Sequence, residues 1–208
     1  MTTSRKITRG ITLALALSAG GSALALSGNA VGDSALRATL VDQSGAKVGK
    51  ATLSFERDRS EVEVRLDLPP SMAGFHGFHI HSVGQCTPPF TTAGAHLGED
   101  PADPAHRHRN HAGDLPVLLV DQTGRAGARF STDRINVADL LDDDGSAFIV
   151  HAAPDNYANV PASDPVTGAL RYSNANAVVP PVYPNTVTDA TTLATGDAGG
   201  RVVCGVIG

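Results

Sequence analysis

Residues 36–68 read LRATLVDQSGAKVGKATLSFERDRSEVEVRLDL, three short runs of partly alternating apolar and polar residues separated by turn formers. Leu36–Val41, Ala51–Phe55 and Val62–Leu68 have the period of two that puts alternate side chains on opposite faces of a strand. Ser44, Gly45 and Asp58 mark the turns between them. Working outward, Phe75–Val83 is a fourth apolar run interleaved with glycine and histidine, and Val117–Val120, Ala126–Phe130, Ala147–Val150 and Val202–Ile207 add four more. About eight short strands with turns between them predict an all-β chain folded as an antiparallel sandwich or barrel. Ile135–Leu141 suits one helical turn, stopped at once by Asp142, Asp143, Asp144 and Gly145.

Two stretches break the strand rhythm: Cys86–Asp114 and Ala152–Gly200. Both are expected to be long loops, and loops of that length in a compact domain tend to carry function. The second holds six prolines, and its only charged residues are Asp155, Asp164, Arg171, Asp189 and Asp197. Its pieces DNYANVP and PPVYPN suit packing or partner contact better than the guidance of a charged ligand. The chain shows no internal repeat.

At the N-terminus, Arg5, Lys6 and Arg9 precede the apolar stretch Ile11–Leu17 and the small residues Ala23, Ala25 and Ala30. This is the layout of a secretory signal peptide, and the apolar run is too short to span a bilayer. The expected organisation is therefore a signal over 1–30 and one domain over 31–208, with no transmembrane segment. The product would be exported: secreted, periplasmic or associated with the cell envelope. Removing three basic residues moves the formal charge from −5 to −8, which argues against nucleic acid as a partner. The two cysteines, Cys86 and Cys204, are far apart in a chain expected to meet an oxidising compartment, so they are expected to pair. Closing so long a loop stabilises a fold by roughly 4–5 kcal/mol in the chain-entropy picture.

All eight histidines fall between residues 76 and 151: His76, His79, His81, His96, His106, His108, His111 and His151. With Asp114 near His111, they offer imidazoles and a carboxylate, donors suited to zinc and copper, and no spare thiolate. His79 and His81 lie two apart in a predicted strand, so both leave the same face and can grip one ion. His151 ends another apolar strand, where a lone imidazole would be hard to satisfy.

Five ordered motifs give this clustering a family resemblance. GFHIHSVGQC at 77–86 resembles the copper-binding signature of the copper/zinc superoxide dismutases, and GDAGGRVVCGVIG at 196–208 resembles their closing segment. AGAH at 93–96, HAGDLP at 111–116 and VHAAPDN at 150–156 follow the family's internal motifs in order. The resemblance implies an eight-stranded antiparallel Greek-key β-sandwich or barrel with two long functional loops. It implies an enzyme that converts superoxide to dioxygen and hydrogen peroxide with copper and zinc as cofactors.

Carried over residue by residue, the resemblance makes His79, His81, His96 and His151 copper ligands and His96, His111 and Asp114 zinc ligands. The third zinc histidine lies in a shortened loop that offers His106, favoured for its distance from His96, with His108 as the alternate. Asp155 matches an aspartate that accepts hydrogen bonds from one histidine of each metal. His76 matches a loop-bracing histidine that binds no metal. Arg201 occupies the position of the arginine that attracts the superoxide anion, and His96 that of the bridging imidazole. The resemblance leaves open a monomer or a homodimer. An exported sandwich that binds or buffers copper without turnover is the competing class, although such a protein has no need of Arg201. A purely adhesive sandwich would leave the histidines unexplained.

Overall fold

The computed structural model describes residues 35–100, 102, 108, 110–157 and 194–208. The expected signal, the domain boundary near residue 30, His106 and most of the second long loop lie outside the described residues. Among the described residues nine strands run in chain order: β1 (Leu36–Asp42), β2 (Lys47–Glu56), β3 (Arg59–Asp67), β4 (Gly74–His76), β5 (Phe78–His81), β6 (Leu118–Val120), β7 (Arg125–Thr132), β8 (Ala147–His151) and β9 (Arg201–Val206). One helical turn, α1 (Val137–Leu140), sits where the sequence predicts it. Asn136 caps it by accepting a hydrogen bond from the Asp139 amide at 3.0 Å.

The strands form a seven-stranded antiparallel sheet in the order β5-β8-β9-β1-β2-β3-β7, and β4 pairs separately with β6. The pairings β1–β9, β3–β7 and β5–β8 join strands distant in sequence, so the sheet curls around a single apolar core. Leu40, Leu53, Val62, Val64, Phe78, Ile80, Phe148 and Val150 fill that core and are almost wholly buried. Phe78 and Phe148 stack across β5 and β8 with ring centroids 5.3 Å apart.

Eight strands are expected and nine are seen, because the run over 74–81 bends at Gly77 and changes partner. β4 pairs with β6, whereas β5 pairs with β8. At the bend the Gly77 amide donates to the Ala153 carbonyl and the Gly77 carbonyl accepts from the His151 amide. A Cβ at Gly77 would lie 2.6 Å from that of Ala198, so no larger residue fits without a shift.

The β1–β2 and β6–β7 turns share a short echo, VDQSG at 41–45 and VDQTG at 120–124. Asp42 Oδ1 accepts from the amides of Ser44 and Ala46, and Asp121 Oδ1 from those of Thr123 and Arg125. Gly45 and Gly124 supply the positive φ that each turn needs.

A second, smaller apolar cluster lies on the outer face of β8 and β9: Phe90, Ala93, Ala147, Ile149 and Cys204, with Cys86 packed against it. Here Cys86 and Cys204 form a disulfide, Cα–Cα 5.6 Å, that ties β9 to the loop after β5 across 118 residues. Among the described residues no helix is long and apolar enough to cross a membrane.

Replacing both cysteines with serine should lower the unfolding free energy by roughly 4–5 kcal/mol, since the closed loop is long. Denaturant unfolding of both proteins measures this, and a difference below about 1 kcal/mol would mean that the loop is held by its apolar packing instead.

Candidate metal centre

β5 is an edge strand of the large sheet, with Phe78 and Ile80 in the core and His79 and His81 on the opposite face. Loop backbone covers its free edge. The Ile80 amide donates to Gly113 O, Leu97 N donates to Ile80 O, and Gly113 N donates to Leu97 O, each at 2.9 Å. Those bonds bring His96 beside His81 and Asp114 beside His79 in isolated bridges. Gly113 permits the approach, because a Cβ there would lie 2.2 Å from the Ile80 carbonyl oxygen. On β8 the register shifts between Val150 and His151, and such an irregularity re-aims the side chain at the end of a strand.

Six histidines gather on this face. His79, His81, His96, His108, His111 and His151 are all buried, with Asp114 and Asp155 among them. The donors form two overlapping groups, His79, His81, His96, His151 and His79, His96, His108, Asp114, with one atom per residue lying within 4.8 Å of the others. His111 belongs with the second group although it falls outside that limit. The Nδ1 atoms of His96, His108 and His111 lie 2.9, 3.1 and 3.3 Å from the single oxygen Asp114 Oδ1.

Fixed hydrogen bonds decide which nitrogen each ring presents. His81 Nδ1 donates to Gly94 O at 3.0 Å and His151 Nδ1 to Gly199 O at 2.9 Å, so their Nε2 lone pairs face one another at 3.4 Å. His79 Nε2 donates to Asp155 Oδ2 at 2.7 Å, which leaves Nδ1 as its free donor atom. His108 Nε2 donates to the same carboxylate at 2.8 Å and turns Nδ1 toward Asp114. His96 gives Nδ1 to the Asp114 side and retains Nε2 for the other.

Metal ions fit this arrangement. His79 Nδ1 and His96 Nε2 are buried without a hydrogen-bond partner, an arrangement that costs free energy unless something else meets those atoms. Tetrahedral coordination at metal–nitrogen distances of about 2.0–2.1 Å puts donor atoms about 3.3–3.4 Å apart. The His81–His151 and His96–His111 nitrogen pairs are each separated by 3.4 Å.

Burial pulls the pKa of His79, His81, His96 and His151 down, that of His151 to about 3, so these rings are neutral and keep a lone pair. His108 is also buried, but the carboxylates of Asp114 and Asp155 outweigh burial and raise it to about 9. The two aspartates resist burial in turn, and their histidine partners hold both well below the usual carboxylate range.

At the rim, Arg201 is half-buried and splayed between two carbonyls, with Nη1 2.7 Å from Phe90 O and Nη2 2.6 Å from Gly94 O. Gly94 O therefore serves both Arg201 and His81. His76 stands apart from the donor groups. Its ring bridges His151 O and Met72 O, both at 2.7 Å, as expected of a brace between loops.

His106 was favoured on its distance from His96 along the chain and lies outside the described residues, whereas the alternate His108 reaches both Asp114 and Asp155. Sequence reasoning also missed the carbonyls of Gly94 and Gly199, since a backbone acceptor leaves no residue-type signal. Tyr157, which stacks on His108, falls in DNYANVP, a piece read as suited to packing or partner contact.

Comparison with known proteins bears on the family. The family model for copper/zinc superoxide dismutase matches residues 48–207. The superoxide dismutase [Cu-Zn] of Mycobacterium tuberculosis is 36% identical over 189 residues, covering 85% of this chain and 71% of the relative. That of Deinococcus radiodurans is 32% identical over 151 residues, covering 64% and 80%. Among solved structures, a SOD-like protein from Bacillus subtilis superposes with a TM-score of 0.56 at 26% identity, covering 82% of this chain and 96% of that one. The Cu/Zn superoxide dismutase from Brucella abortus shares the fold, with a TM-score of 0.56 at 23% identity over 84% and 99% of the two chains.

The metal-free protein should lose stability as pH falls. His79, His81, His96 and His151 have folded pKa values below the ordinary 6.5, so between about pH 6.5 and 3 the unfolded chain binds more protons than the folded one. His108 acts in a different window, stabilising below about pH 6.5 and losing that contribution toward about 9. Thermal melts of metal-free protein from about pH 7 to about pH 5 should therefore show a falling Tm, and a flat Tm would contradict neutral burial of the four rings.

On its matched family model, its relatives and its fold, the chain belongs to the copper/zinc superoxide dismutase family.

Proposed function

We propose that this chain dismutates superoxide at a paired centre in which His79, His81, His96 and His151 hold copper while His96, His108, His111 and Asp114 hold zinc. The observation that carries the reading is His96, a buried imidazole with one nitrogen in each donor group. Copper held by these residues would supply the redox chemistry, by which two superoxide anions and two protons from water give dioxygen and hydrogen peroxide, whereas zinc would supply no redox chemistry of its own.

The chain's own residues supply binding, orientation and proton handling. His96 Nε2 is the protein atom placed to hold a proton and release it beside the reacting oxygen, and Asp114 on Nδ1 sets the basicity of the ring. Asp155 keeps His79 and His108 in the tautomers that leave Nδ1 free on each. The Gly94 and Gly199 carbonyls do the same for Nε2 of His81 and His151.

Substrate attraction has to be local, because an anion approaches a chain of net charge −5. Arg201 provides it. Burial lowers its pKa from the ordinary 12.5, yet a guanidinium stays charged, and with two carbonyls fixing the group its charge is held at the rim of the copper-side histidines. The Cys86–Cys204 disulfide anchors both the loop that carries Phe90 and Gly94 and the strand that carries Arg201. The disulfide also supports export to an oxidising compartment, as the basic-then-apolar composition of residues 1–30 suggests.

Arg201→Ala should retain both metals yet lower kcat/KM by about 10-fold or more and flatten its dependence on ionic strength, because the focused positive field is gone. Steady-state rates across a salt series measure both effects. An unchanged rate with an unchanged salt slope would remove Arg201 from the proposal.

A further inference from the structure

Tyr157 stands two residues after Asp155 and adopts φ +56°, a left-handed conformation that a bulky aromatic residue takes only when its surroundings hold it there. Three contacts do so. The Tyr157 amide donates to Asp155 Oδ1 at 2.6 Å, the phenol oxygen accepts from the Val117 amide at 2.9 Å, and the ring lies nearly parallel to the His108 imidazole, 13° between planes and 6.5 Å between centroids.

These contacts reach three separate parts of one donor group. Asp155 is the carboxylate that fixes His108 Nε2, Val117 lies three residues past Asp114 on the same short segment, and His108 is the ring between them. Across the same contact sits Gly196, φ +57°, where a Cβ would fall 2.0 Å from Asp155 Oδ1 and 2.4 Å from His108 Nε2. The backbone there closes over the His108–Asp155 hydrogen bond and leaves no room for the ring to tilt that way. The face of the ring is met by Tyr157.

We infer that Tyr157 is a positioning residue for the zinc-side donors, aiming His108 Nδ1 and holding the Asp114 segment in register with it, an inference that rests on the donor assignment above. Its phenol fixes the segment that carries Asp114, its ring limits rotation of His108, and its amide orients Asp155. The side chain of Tyr157 meets the Val117 amide and the His108 ring, whereas its link to Asp155, and through Asp155 to His79, runs through the backbone amide that a substitution retains, so loss of the side chain acts first on the zinc side.

The test uses the whole protein loaded with copper and zinc, with Tyr157→Phe, Tyr157→Ala and His108→Ala prepared alongside. Zinc release to a chromogenic chelator is timed, metal content is measured, and the visible spectrum is recorded after Co(II) replaces zinc. Tyr157→Ala should release zinc about 10-fold faster or more and shift the Co(II) bands while copper content holds. Tyr157→Phe, which retains the ring and loses only the phenol oxygen, should fall between it and the parent. Parental release and spectrum in both Tyr157 variants, with zinc lost from His108→Ala, would overturn the role of Tyr157 alone. Loss of both metals together from both Tyr157 variants would also overturn it, by showing a general structural role. Full zinc in His108→Ala would overturn the donor assignment itself.

Discussion

The Asp155 carboxylate joins the two halves of the site: it accepts from His79 Nε2 through one oxygen and from His108 Nε2 through both. Each ring is thereby fixed in one tautomer and turned so that Nδ1 points inward, one toward the proposed copper group and one toward the zinc group. The contact is buried and its carboxylate accepts from both rings, so it is strong where it stands and costly to break from one side. Everything local to it is arranged for close approach. Gly196 closes over it with no Cβ, Tyr157 covers a ring, and Asn156 N reaches Gly196 O to hold the two loop ends together.

The fold's part is to place rigid β-structure under a set of loops. β5 offers His79 and His81 from a strand whose alternate residues are locked in the core, and its unpaired edge is covered by the segments that bring in His96 and Asp114. An exposed edge invites pairing with other chains, and covering it with the metal loops answers that hazard and builds the site at once. The cost of collecting imidazoles away from water is visible in the orphaned nitrogens of His79 and His96 and in the depressed basicity of His79, His81, His96 and His151. That cost is recovered only when ions meet the lone pairs, so metal binding and stability of this face are coupled.

Much of this was legible in the sequence because period-two patterning survives in short strands. Leu36–Val41 and Val62–Leu68 were read within a residue or so of β1 and within three of β3, and the Cys86–Cys204 pairing followed from count and expected compartment. The extra strand was not legible, since Gly77 bends a continuous apolar run without interrupting its pattern. The choice between His106 and His108 was not legible, because distance along the chain does not give distance through a shortened loop. The carbonyls that orient His81, His151 and Arg201 belong to Gly94, Gly199 and Phe90, residues whose side chains carry no hint of the role. The expected signal and the middle of the second long loop lie outside the described residues.

The most direct measurement is the copper and zinc content of the purified protein together with its superoxide dismutase activity, before and after each metal is supplied. The account predicts one copper and about one zinc per chain, with activity that follows copper and is restored by it. Copper bound in full without turnover would contradict it and leave a copper-binding sandwich in its place.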